Sequence, residues 1–237
     1  MIKVNKGPKP AVLAANAEQW TREYVEYREK KALKEVSNEA APSRYAHAEV
    51  KAALVAEANS KCIYCETLIR HSQPGHIDHI KPQAHFPDLV CEWVNLGLCC
   101  YWCNLFKSDK WFPDDELRLI NPFEDDPETM IHFLGPLPVP RNGSTRGRST
   151  IFELKLDRPE MVVDRARYLG KLTALVSAWS TAGSGPMKEA QARMLWALAD
   201  GREEYAGMVR SVLELLEIPG PTGPSVGPAA RVGSGID

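Results

Sequence analysis

Two Cys-x-x-Cys pairs, Cys62-Ile63-Tyr64-Cys65 and Cys100-Tyr101-Trp102-Cys103, bracket the chemically richest stretch of this 237-residue chain. A Cys-x-x-Cys turn aims two sulfurs at one point, and two such turns supply the four thiolates of a tetrahedral zinc site. A closed four-sulfur shell leaves the ion no open position, so the expected zinc is structural and adds its binding energy to folding. Cys99 adjoins Cys100 and is an alternative ligand, but the two-residue gap to Cys103 favours Cys100; Cys91 reads as core. A thioredoxin-type redox pair accounts for one Cys-x-x-Cys, not two.

Between the pairs lies His76-Ile77-Asp78-His79-Ile80-Lys81-Pro82, then Trp93-Val94-Asn95-Leu96, and after the second pair Asn104-Leu105-Phe106-Lys107-Ser108-Asp109-Lys110. These types suit phosphodiester hydrolysis, which needs an activated water and a cation against the charge that develops on phosphate. His79 suits the general base, since an imidazole accepts a proton near neutral pH. Asp78 and the Asn104 amide offer hard oxygens to a catalytic Mg²⁺ or Mn²⁺. Asn95 is placed to hold a hairpin by bonds to backbone and so to position His79. Lys107 and Lys110 fall one to two turns into a following helix, within reach of substrate phosphate. Alternation over 76–80 predicts a strand, a second short strand is expected at 95–99, and a helix from near Asn104: a ββα arrangement.

Taken together, Cys-x-x-Cys, Asp-His-Ile-x-Pro, Asn-Leu and Cys-x-x-Cys-Asn-x-x-Lys resemble the HNH endonuclease family in its zinc-knuckle form. The resemblance implies a ββα-metal fold and single-metal cleavage of nucleic acid to 5′-phosphate and 3′-hydroxyl ends. It implies His79 as general base, Asp78 and Asn104 as ligands of the catalytic metal, and Asn95 as the structural asparagine. The chain departs from the commonest pattern in carrying Asn104 where a third histidine is usual. Met1-Ile2-Lys3-Val4-Asn5, Cys65-Glu66, Asn121-Pro122 with Asp125-Asp126-Pro127, and Leu156-Asp157-Arg158-Pro159-Glu160 resemble a narrower group, the PtuB-like HNH subunits of retron-linked and Septu-type anti-phage systems. That likeness covers most of residues 1–170 and implies a PtuA-like ATPase partner. The alternative is a non-catalytic zinc-binding module that engages nucleic acid or protein.

Other candidates carry plainer readings. His76 suits a substrate contact or strand packing equally, and His71 and His85 read as loop residues. Trp102, Trp111 and Phe112 can stack bases, but packing around the knuckles is favoured. Arg141, Arg146 and Arg148 make either a phosphate contact or a solvated loop, and Glu124-Asp125-Asp126 reads as turn and cap chemistry.

The elements that must position these groups are helical on both sides, giving an α+β class. The helix pattern runs from Ala11 to about Glu35 through Trp20, Tyr24 and Tyr27, and again over about 43–58. Leu117-Arg118-Leu119-Ile120 reads as a strand, Met130–Leu134 as another, and 135–149 as a Pro/Gly-rich loop. Asp157 is the expected cap of a helix reaching about Ser180, and two further helices are expected at about 187–199 and 202–217. Four regions follow: an N-terminal helical region (1–58), the nuclease core with its zinc knuckles (59–134), a basic loop with C-terminal helices (135–217), and a tail (218–237). Of residues 219–237, 11 of 19 are Pro, Gly or Ser, so the tail is expected to be disordered.

Composition narrows the class. Hydrophobic residues make up 44% and charged residues 25%, with a net charge of -2, so no overall basic field advertises nucleic acid and any such binding must be local. No apolar run approaches the roughly 18 residues of a membrane span, and the first residues lack the apolar stretch of a signal peptide. A cytoplasmic protein is expected, and clustered cysteines there indicate metal more often than disulfides.

Overall fold

The computed structural model describes residues 1–35, 40–69 and 74–220. His71 and most of the expected tail lie outside them. The described residues form seven α-helices and two antiparallel strand pairs.

Helix α1 (Ala11–Ala32) buries Leu13, Tyr24 and Tyr27, and Lys30 and Lys31 sit in its last turn, where the helix dipole favours positive charge. A single 3₁₀ turn (Arg44–Ala46) precedes α2 (Ala48–Glu57), which His47 caps by accepting the Glu49 amide at 3.2 Å. Helix α2 buries Val50 and Leu54 and packs on the first strand pair. In that pair β1 (His76–His79) runs against β2 (Leu96–Cys99), with Asp78 opposite Gly97 and His79 opposite Leu96. Helix α3 (Tyr101–Lys107) follows at once and packs on β1.

The second hairpin joins β3 (Ile131–Leu134) to β4 (Leu137–Pro140). Gly135, at φ +59°, makes the turn, where a side chain is disfavoured. Helix α4 (Thr145–Glu153) is capped by Ser144, whose Oγ accepts the Gly147 amide at 3.0 Å. Helices α5 (Pro159–Thr181) and α6 (Pro186–Ala197) pack together, and α7 (Ala206–Leu215) covers β3.

Three local expectations are corrected. Residues 117–120 form no strand. The Ile120 amide donates to Thr150 Oγ1 at 2.9 Å, and Arg146 donates to the Arg118 and Leu119 carbonyls, so side chains satisfy this backbone in place of a neighbouring strand. The expected loop at 135–149 holds β4 and the start of α4; prolines are tolerated in β4 because each strand of a two-stranded sheet has a free edge. Helix α5 starts from Arg158 with Pro159 in its first turn, and no side chain caps it; Asp157 stands one residue too early.

Most of the buried apolar residues, from Met1 to Ile218, make one continuous cluster. Its polar seam is Glu66, just after the first Cys-x-x-Cys. The Glu66 carboxylate meets the Met1 amino group at 2.7 Å and accepts the Gly207 amide of α7 at 3.2 Å. Lys61 adds bonds to the Gly201 and Glu203 carbonyls at 2.6 and 2.7 Å. Among the described residues no helix is long and apolar enough to cross a membrane.

Candidate active site

The first Cys-x-x-Cys turn follows α2, and the second spans the junction of β2 with α3. Folding brings the ligand atoms of Cys62, Cys65, Cys100 and Cys103 within 4.8 Å of one another. Cys65 Sγ lies 3.7 Å from Cys100 Sγ. Four sulfurs at about 2.3 Å from one ion would stand about 3.8 Å apart at the corners of a tetrahedron, so the cluster can hold a zinc ion. Cys100 also caps α3, its sulfur accepting the Cys103 amide at 3.4 Å. Cys91 and Cys99 are buried apart from this group, Cys99 on β2.

Asp78, His79 and Asn104 line one cleft of about 760 Å³. Residues from both faces of β1 reach it, and Tyr45, Lys51 and the Pro82–Ala84 loop close its other side. His79 is buried, with Tyr45 edge-on to its ring at 4.6 Å. His79 Nε2 stands 2.9 Å from the Val90 carbonyl oxygen. A carbonyl only accepts, so Nε2 carries the proton and Nδ1 keeps a free lone pair. Burial lowers the His79 pKa below its ordinary value, against the opposing pull of the Val90 carbonyl and Asp78, so the ring is neutral at pH 7.

Asp78 is 5% exposed. Its Oδ2 accepts the Tyr64 hydroxyl at 2.6 Å, and its Oδ1 pairs with Lys107 Nζ at 3.1 Å. Burial, and then the Asp78 charge, pushes the Tyr64 phenol well above its ordinary range, so it stays a donor. The same Lys107 ammonium donates to the His79 carbonyl at 2.5 Å. The Asn104 side chain, half-buried on α3, meets among the described residues only the Cys99 thiol, at a long 3.7 Å. Asn95 is buried and acts on backbone: its Oδ1 accepts the Lys81 amide at 2.8 Å, and its Nδ2 donates to the Lys81 and Leu89 carbonyls at 3.1 and 3.2 Å. Its own carbonyl accepts the Ile80 amide at 2.8 Å, which holds the chain just past His79.

The lysines expected at phosphate are both engaged within the chain. Lys107 is 2% exposed and bound to Asp78, and Lys110 pairs with Glu153 at 2.7 Å. Arg146 pairs with Asp125 at 2.6 Å and Arg141 with Glu214 at 3.0 Å, so two of the three arginines of the expected loop are also held internally. Trp102 is half exposed and stacks on Phe106, while Trp111 packs edge-on against Phe86. His76 lines the cleft beside Tyr101, and exposed His85 binds the Asp109 carbonyl. Asp125 and Asp126 bond to local backbone amides in their own turn. Tyr64, Lys51 and Tyr45 were not singled out by residue type; the one available signal was the place of Tyr64 between two cysteines.

No family model matches the chain. Two curated proteins are similar to it, both described as Septu protein PtuB. The one from Bacillus mycoides (strain KBAB4) is 26% identical over 200 residues, which is 70% of this chain and 66% of the relative. The one from Bacillus thuringiensis is 29% identical over 125 residues, 52% of this chain and 47% of the relative. The matches span about two thirds and about half of these relatives' lengths. The chain is thus similar to Septu PtuB proteins over most of its length.

Proposed function

We propose that this chain is a metal-dependent endonuclease of the HNH type, acting as the nuclease subunit of a Septu-like anti-phage system. The observation that carries the reading is the meeting of Asp78, His79 and Asn104 at one cleft, beside a cluster of four cysteines. The donor set fits a hard divalent cation. Each Asp78 oxygen has one protein donor, which leaves lone pairs on both, and Asn104 Oδ1 lacks a strong partner. Asp78 and Asn104 would hold Mg²⁺ or Mn²⁺, which when bound supplies positive charge to a scissile phosphate.

His79 acts as the general base. Its Nδ1 takes a proton from the attacking water, while the Val90 carbonyl fixes the ring and its tautomer. Asn95 anchors the chain after β1 and so holds the imidazole in place. The four cysteines hold structural zinc. The chain, assayed by itself and with a co-purified ATPase partner on plasmid, single-stranded DNA and tRNA, should cleave with Mg²⁺ in at least one of these forms and stop with EDTA. His79→Ala should be at least about a hundredfold slower with unchanged zinc content; a variant as active as wild type would sink the mechanism.

The PtuB likeness supports a PtuA-like ATPase as the partner. Engagement of Lys107, Lys110, Arg141 and Arg146 within the chain favours a subunit that relies on that partner to hold nucleic acid. Cleavage by the co-purified pair, with none by the chain alone, would identify that version. Substrate binding that ignores Mg²⁺, without cleavage in either form, would favour a binding module.

A further inference from the structure

The four-cysteine cluster and Asp78 share two side chains. Tyr64 sits between Cys62 and Cys65, and its buried hydroxyl donates to Asp78 Oδ2 at 2.6 Å. Lys107 lies one helical turn beyond Cys103, and its ammonium binds Asp78 Oδ1 at 3.1 Å and the His79 carbonyl at 2.5 Å. Each Cys-x-x-Cys element therefore sends one arm to the same carboxylate, one arm per oxygen. Nothing else among the described residues bonds to that carboxylate. A carboxylate gripped at both oxygens by buried donors is fixed in rotation, so the direction of its remaining lone pairs is set by where the two cysteine elements stand.

We infer that Tyr64 and Lys107 are positioning residues through which the four-cysteine cluster sets the aim of Asp78 at the cleft. The inference rests on the reading of Asp78 as a divalent-metal ligand. Neither residue touches the cleft ion in this scheme. Each acts by holding Asp78, and the cluster acts by holding them. Orienting partners of this kind typically change metal affinity by about ten- to a hundredfold when removed.

The test compares wild type, Tyr64→Phe and Asp78→Ala as full chains, each measured for zinc per chain, melting temperature, Mn²⁺ affinity by electron paramagnetic resonance, and cleavage. Tyr64→Phe keeps the ring and deletes one hydroxyl. It should retain its zinc and a cooperative melt and bind Mn²⁺ about tenfold more weakly. It should also show a lowered kcat at unchanged KM for nucleic acid. Asp78→Ala should lose the site. Wild-type Mn²⁺ affinity in folded Tyr64→Phe would overturn the inference. So would loss of zinc or of the cooperative melt in that variant, which would make Tyr64 a structural residue only. Mn²⁺ binding indifferent to Asp78→Ala would overturn it as well. An Asp78-dependent site weakened in Tyr64→Phe, in a protein that cleaves nothing even with its ATPase partner, would leave the coupling standing and remove the nuclease reading.

Discussion

At the scale of single residues, the proposed base, His79, is held in one tautomer. Its Nε2 is committed to the Val90 carbonyl, and burial disfavours the charged imidazolium. The folded pKa therefore lies below the ordinary value of about 6.5. Two consequences share that sign. The acid limb of a kcat/KM profile should have its midpoint below about 6.5, and a midpoint above it would contradict a neutral buried base. The unfolded chain also takes up a proton at this position before the folded one does. The stability contributed by neutral His79 is thus complete above about pH 6.5 and is lost as the pH falls toward the folded value. Denaturant titrations of wild type and His79→Phe between pH 5 and 7.5 should show the steeper acid loss in wild type. The sequence made this histidine visible as a base. It did not show the carbonyl that fixes its tautomer, because Val90 comes from a turn eleven residues away.

Among elements, the joint between α3 and β1 matters most. Lys107 is the last residue of α3, and one ammonium crosses to both Asp78 and the His79 carbonyl on β1. Deleting one partner of a buried pair leaves the other charge uncompensated. Lys107→Met should lower stability by about 3–5 kcal/mol in urea denaturation. Pairing it with Asp78→Asn should restore part of the loss, and simple additivity would argue against the joint. The two strands, the helix and both Cys-x-x-Cys turns were legible in the sequence because spacing and alternation are local signals. Lys107 reads from sequence as a phosphate contact, since a lysine's type says nothing of the carboxylate that binds it across the fold. Leu117–Ile120 misled for a similar reason: its alternation is strand-like, but Thr150 and Arg146 supply the partners a strand would have needed. Pro138 and Pro140 masked β4, whose free edge tolerates them.

For the whole molecule, the four thiols bring two Cys-x-x-Cys turns from distant parts of the chain to one place. Around them one core runs from Met1 to Ile218, with Glu66 bonded to α7 just beyond Cys65. Stripping the cluster with a zinc chelator should lower the melting temperature by about 10 °C or more, and readdition of zinc should restore it. An unchanged melt after complete metal removal would mean the sulfurs pack as ordinary apolar groups. The cleft shares this dependence on distant segments. Tyr45 and Lys51 form part of its wall from the N-terminal helical region, and α7 braces the first cysteine turn from the other end. Recombination that carried only the stretch between the outermost cysteines into a new host gene would transplant the motif without its walls. A graft that keeps those walls and that brace must reach from Tyr45 to α7.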